Sequence, residues 1–189
     1  MSGRSERVDL PVLRTARLLL RPFCMDDADS LVELANDREV AINTLDIPHP
    51  YDRQDAEDWI GLHAGQVERN EAYPFAITTS ADGTLLGAVG LMPDLPNDAA
   101  ELGYWIGRLY WGRGYATEAA RAVLEWGFEE LGLHRVHAAH FPRNPASGQV
   151  LRKLGMRHEG TLRHQVKKWG VYLDLEKYGI LRDETRGGG

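Results

Sequence analysis

The chain of 189 residues, 43% hydrophobic and 26% charged, can bury one core of ordinary size and is too short for two comfortable domains, so a single domain is expected over residues 13–182, with 1–12 and 183–189 as flexible termini. Its formal net charge of −6 argues against a partner held mainly through a phosphate backbone, which sets nucleic acid aside. Cys24 is the sole cysteine, which excludes an intrachain disulfide; no run approaches about 18 apolar residues and the polar residues 1–8 are unlike a signal peptide, so a cytoplasmic protein with no membrane partner is expected.

In chain order, the apolar run 17–21 closed by Pro22 predicts a strand, since proline cannot continue a ladder. Asp26 and Asp27 precede Ala28, Leu31, Val32, Leu34 and Ala35 at helical spacing, with the acids where a helix N-terminus favours them. A second helix is predicted over 52–68, and residues 43–50, with two prolines and His49, read as a loop of the kind that borders sites. Segments 73–79 and 84–91 are β-rich and joined through Asp82-Gly83, a hairpin signal. Residues 93–99 read as a turn. The segment 101–107 then alternates Leu102, Tyr104 and Ile106 with Glu101, Gly103 and Trp105, as a strand does.

From Tyr115 to Leu131 the residues Ala119, Ala120, Val123, Leu124, Phe128 and Leu131 keep helical spacing while Glu118, Arg121, Glu125 and Glu129 take the wet side. A strand over 135–141, a short helix over 146–154 stopped by Gly155, and hairpin material over 166–181 complete the series. The order β-α-α-β-β-β-α-β-α-β-β implies an α+β fold around a mixed, mostly antiparallel sheet, because one helix crosses over after the third meander strand.

The run Trp111-Gly112-Arg113-Gly114-Tyr115-Ala116-Thr117 sits between a good strand and the best helix. Glycines there can take positive φ and turn their N–H groups toward one point, and the helix behind adds the positive end of its dipole, so an anion is expected. A plain strand-to-helix connection is the alternative for two glycines alone. No Gly-Lys-Ser/Thr follows, and no third glycine falls in register, so neither a nucleotide-hydrolysing loop nor a dinucleotide fingerprint is present.

Glu101-Leu-Gly-Tyr-Trp-Ile-Gly and Trp111-Gly-Arg-Gly-Tyr-Ala-Thr-Glu-Ala closely resemble the acetyl-CoA-binding motif of the GNAT superfamily, and within it the ribosomal-protein N-acetyltransferase branch, the RimJ and RimL type. Leu13-Arg-Thr-Ala-Arg-Leu-Leu-Leu-Arg-Pro at the front and the segment from Asn144 through Gly160 toward the back agree with it. Trp111 stands where the superfamily loop begins with Gln or Arg. The resemblance implies the GNAT fold and an acetyl-CoA-dependent N-acetyltransferase, an acyltransferase that uses acetyl-CoA as acetyl donor and no metal. A homodimer is compatible with the branch.

Residue by residue, the resemblance implies that backbone groups of Trp105, Ile106 and Gly107 pair with the pantetheine arm, and that the loop from Trp111 and Gly112 through Arg113, Gly114, Tyr115, Ala116 and Thr117 holds the pyrophosphate. Asn144 would face the pantetheine and Lys153 the nucleotide end; a plain N-cap and a solvated surface lysine are the alternatives. Acetyl transfer also needs a neutral amine, donors for the carbonyl oxygen and a proton for the leaving thiolate. The oxyanion donor implied is a backbone N–H near Ile106. Many members carry a tyrosine where this chain has Leu151, so Ser147, placed as in RimL near the sulfur, becomes the candidate acid, with helix-capping as its alternative. Val166 occupies the place of the RimL base. An acid on the strand of Glu101 serves as base elsewhere in the superfamily, often through water, so the resemblance makes Glu101 the candidate base, with an exposed strand-end carboxylate as its alternative; His164 is the second choice, with a plain surface histidine as its alternative.

These readings favour transfer to the α-amine of a peptide or ribosomal protein, by direct attack through a tetrahedral intermediate. A small-molecule amine (amino acid, polyamine or antibiotic) and a non-catalytic acyl-CoA sensor remain as alternatives, because fold and donor site do not fix the acceptor.

Overall fold

A computed structural model describes residues 10–185; residues 1–9 and 186–189 of the expected flexible termini lie outside it. Its sheet has eight strands: β1 (Leu13–Arg14), β2 (Leu18–Arg21), β3 (Tyr73–Thr79), β4 (Leu85–Asp94), β5 (Ala99–Ile106), β6 (Arg135–His140), β7 (Arg157–Lys168) and β8 (Val171–Leu181), in the spatial order β1-β2-β3-β4-β5-β6-β8-β7. Every neighbouring pair is antiparallel except β5 and β6, which run parallel. Five helices cover it: α1 (Ala28–Ala35), α2 (Arg38–Asn43), α3 (Arg53–Glu68), α4 (Tyr115–Glu129) and α5 (Pro145–Lys153). This is the expected α+β architecture.

The helices divide between the two sheet faces. Alternation along β3 points Tyr73, Phe75 and Ile77 toward α4, whose Ala119, Ala120, Val123, Leu124 and Phe128 complete the larger core. Val123 and Leu124 are buried, each adding roughly 1.5–3 kcal/mol. Ala76 and Leu85, on the other face, meet Ala28, Leu31 and Ala35 of α1 and Ala56 and Ile60 of α3. Asp52 caps α3 by accepting from Asp55 N at 3.0 Å, which ends the preceding loop cleanly.

Four local expectations change. Helix α2 occupies 38–43, held by Asp37 accepting from Glu39 N at 2.8 Å. Its six residues offer only Val40 and Ala41 to the interior, too few to show a helical period. The short strand β1 likewise precedes the expected first strand. The expected turn at 93–99 shrinks, because β4 runs through Pro93 to Asp94. Pairing with β3 ends at Tyr73↔Leu91, so Pro93 lies where a missing N–H breaks no ladder on that side. Finally, β7 begins at Arg157, nine residues before the expected hairpin material. Most of this edge strand is exposed on both faces, so its apolar signal is weak and pairing with β8 alone defines it.

Candidate active site

The glycine loop joins β5 to α4 through a single 3₁₀ turn, Arg108–Tyr110. Gly112 and Gly114 take φ of 75° and 81°, and nothing lies within 4 Å of where a Gly112 Cβ would stand. Helix α4 has no side-chain cap at its N-terminus, which leaves its first-turn N–H groups facing outward. Trp111, the one departure from the motif, donates its indole N–H to Ile106 O at 2.6 Å and pins the loop to the strand end.

The acid in the first turn of α4 does not block this end. Glu118 accepts from Thr15 Oγ1 at 2.6 Å, from Arg17 N at 2.9 Å and from Arg17 Nε at 2.7 Å. Burial alone would raise its carboxyl, but the bonds from Thr15 and Arg17 outweigh that and hold it below the usual carboxylate range. Arg17 also donates to Arg113 O at 3.0 Å and lies over the Tyr115 ring at 4.6 Å. The turn between β1 and β2 is thus tied to the glycine loop at Arg113 and to the first turn of α4. These residues fit a pyrophosphate: open backbone amides, an uncapped helix end and a neutralised carboxylate.

Beside Gly114 and Thr117 a cavity of about 540 Å³ is lined by Arg14, Arg121, Glu125 and Lys153. Arg121 donates to Lys153 O at 2.6 Å, joining α4 to the end of α5. Lys153 therefore shares one groove with the glycine loop.

The sheet opens next to this groove. Strands β5 and β6 pair only at Ala99↔Arg135, Ala100↔Val136 and Glu101↔His137. Beyond them β5 continues with β4 alone and β6 with β8 alone, so residues 102–106 have one edge without a strand partner. Two of the backbone groups expected to face pantetheine are already engaged: Gly107 N donates to Leu86 O at 2.8 Å, and Ile106 O receives the Trp111 indole.

On the α4 and α5 face of the split, Ser147 lies in the first turn of α5. Asn144 caps that helix, its Oδ1 accepting from Ser147 N at 3.2 Å. Ser147 Oγ lies 2.8 Å from Tyr104 Oη, either hydroxyl being able to donate, and Ser147 O, 3.1 Å from the same phenol, is a second acceptor for its one proton. Burial pushes the Tyr104 phenol up to about 12, against a smaller lowering by Ser147. Leu151 is fully buried one turn further on. A bond from β5 to α5 thus spans the split.

On the opposite face Glu101 stands beside His137 in parallel register. His137 is held below the usual histidine range, first by burial and then by Lys177, whose Nζ lies 3.4 Å from its Nδ1; Glu101 opposes both. Glu101 and Ser147 accordingly sit on either side of the split. His164 is not brought to it: it lies exposed at a register shift between Leu162 and Val166, stacked on Tyr172, on the part of the hairpin beyond β6.

Sequence reasoning did not single out Tyr104, His137 or the Arg17–Glu118 clasp. Tyr104 carried a usable signal, since a tyrosine on the buried face of a strand needs a partner for its hydroxyl. His137 and Arg17 carried none, because their partners are 36 and 101 residues away. Among the described residues no group of three or more His, Cys, Asp or Glu could hold a metal ion, and no helix is long and apolar enough to cross a membrane.

The family described as "Acetyltransferase (GNAT) domain" matches residues 17–157. An N-acetyltransferase named p20 of Bacillus licheniformis, itself uncharacterized, is 33% identical over 179 residues, covering 94% of this chain and all of that one. Two solved structures share the fold at lower identity. RimL, a ribosomal L7/L12 α-N-protein acetyltransferase in complex with coenzyme A, superposes with a TM-score of 0.83 at 19% identity, over 92% of this chain and 99% of its own. A Vibrio cholerae spermidine N-acetyltransferase in complex with CoA and spermine does so at 0.77 and 23%, over 90% and 99%. With a split sheet, an uncapped glycine loop and a family match across most of its length, this chain belongs to the GNAT acetyltransferases and is an N-acetyltransferase that draws its acetyl group from acetyl-CoA.

Proposed function

We propose that the acceptor is the N-terminal α-amine of a peptide or ribosomal protein, and that residues 13–182 act as one catalytic domain in the cytoplasm. The observation that carries the catalytic reading is the split beyond Glu101↔His137, with an acid on one face and a hydroxyl on the other. The motifs of the ribosomal-protein branch support the choice of acceptor.

Acetyl-CoA supplies an activated carbonyl on a thiol leaving group. Amides of Gly112–Thr117 hold its pyrophosphate, with Arg17 and Glu118 fixing the loop that presents them. The open edge of β5 at Trp105 and Ile106 aligns the pantetheine arm, and an N–H near Ile106 donates to the carbonyl oxygen as it gains charge. Lys153 lies at the nucleotide end. Glu101, through water, takes the proton that the amine loses, with a neutral His137 beside it. Ser147 donates to the departing sulfur.

Thiol release across a panel of free-N-terminal peptides, N-blocked peptides, amino acids and spermidine tests this. Release is expected with free-N-terminal peptides and absent with their blocked forms. A preference for spermidine would replace the peptide reading by the small-amine one, and CoA binding without turnover on any amine would support a sensor.

A further inference from the structure

The Tyr104–Ser147 contact decides where the serine proton points. A serine hydroxyl has one proton. If Ser147 donated it to Tyr104, none would remain for a departing sulfur. If Tyr104 donates to Ser147 Oγ, the serine proton is free to turn into the split. Two observations favour the second arrangement. Tyr104, its phenol pushed up to about 12 by burial, keeps its one proton through the neutral range and has two acceptors for it, Ser147 Oγ and Ser147 O. The distance to Oγ, 2.8 Å, is shorter than the 3.1 Å to Ser147 O. That carbonyl also lies in the first turn of α5, where the helix supplies a donor of its own.

We propose that Tyr104 is a positioning residue for the leaving group: its phenol donates to Ser147 Oγ and so aims the Ser147 hydroxyl at the coenzyme sulfur. The inference rests on the acetyl-transfer reading of this site. In the step it serves, the amine lone pair forms the C–N bond and the C–S bond gives its electron pair to sulfur. The amine proton passes to base and solvent, and the thiolate later takes a proton from water. Tyr104 and Ser147 each keep their own proton and stabilise the sulfur charge by hydrogen bonding. This places the missing tyrosine function at a new position, since Leu151 offers no donor, and β5 carries the phenol behind the serine instead.

The test compares the full-length protein with Tyr104→Phe, Ser147→Ala and the double variant. Tyr104→Phe should lower kcat roughly tenfold, as expected for one lost hydrogen bond to a developing charge, with the KM for acetyl-CoA within about twofold. Adding Ser147→Ala should cost little more than Ser147→Ala alone, because both remove one donor chain. A second readout needs no turnover: the pKa of the thiol of bound CoA, followed by ultraviolet thiolate absorbance. A donor at sulfur lowers a thiol below its ordinary value of about 8.5, and both single variants should raise it by about one unit. Wild-type kcat in Tyr104→Phe, fully additive losses, or an unmoved thiol pKa would each overturn the proposal. If Tyr104→Phe melts early, Ser147→Ala alone must still shift the thiol pKa. If the wild-type protein binds CoA but acetylates no amine, the catalytic reading fails while the thiol titration still decides the contact.

Discussion

The donor side of the molecule and the opposite end of its sheet are built on different principles. On the donor side, a short contiguous run from β5 through the glycine loop into α4 forms the candidate donor site, and one clasp, Thr15 and Arg17 on Glu118, ties it to the first hairpin. At the other end, the long β7–β8 hairpin reaches back to the loop before α3. Lys168 donates to Leu45 O at 2.9 Å and Ile47 O at 3.1 Å, and burial lowers its pKa from the usual lysine value. Trp169, Val171 and Tyr172 lie exposed beside it. In the first region the backbone itself turns at Gly112 and Gly114, with φ of 75° and 81°, and one clasp steadies it. In the second, a lysine side chain bonding two carbonyls 123 and 121 residues away makes the connection.

That difference can be broken most directly at Gly114. Gly114→Val places a branched side chain at φ 81°, 3.5 Å from Arg17, at a backbone cost of roughly 1–2 kcal/mol, and turns the loop amides away. A loss of about a hundredfold or more in kcat/KM for acetyl-CoA is expected, with folding retained by circular dichroism; near-normal kinetics would show that the loop does not hold the donor. Arg17→Ala should act on the same parameter more mildly. Releasing Arg113 O and Glu118 together is expected to raise the KM for acetyl-CoA about tenfold, and a change confined to the acceptor's KM would contradict the clasp.

Lys168→Met addresses the other region. Freeing the carbonyls of Leu45 and Ile47 should raise the KM of the amine acceptor by roughly three- to tenfold, leaving that for acetyl-CoA unchanged. Equal effects on both would mean that the two ends are not separable. The smallest effect concerns His63, buried between Phe23 and Trp59, with neither ring nitrogen bonded. Burial lowers its pKa to about 4. The unfolded chain takes up this proton near 6.5 and the folded chain only near 4, so stability present above 6.5 declines as pH falls through that window. Thermal melts from pH 7 to 4 should show the slope, and His63→Phe should flatten it.

Legibility followed the same division. The α4 pattern, the Asp82-Gly83 turn and the glycine loop were readable because each is a local agreement between residue type and backbone, and each reappears where expected. The six-residue α2 and the polar β7 were not, since a short helix shows too little of its period and an exposed edge strand has little apolar alternation to display.

By itself, the sequence determined the order of the main elements, the glycine-dependent turn between Ile106 and Tyr115, and the family resemblance that named the donor. Those properties live in runs of a few residues, where dihedral preference and hydrophobic period act directly. Only the tertiary structure decided that β5 and β6 part after Glu101↔His137, that Glu101 and Ser147 lie on opposite faces of the sheet there, and that the Tyr104 hydroxyl touches that of the serine. These depend on contacts between segments tens of residues apart, which arise when α4 returns the chain to the sheet and packing aligns groups that no local pattern joins.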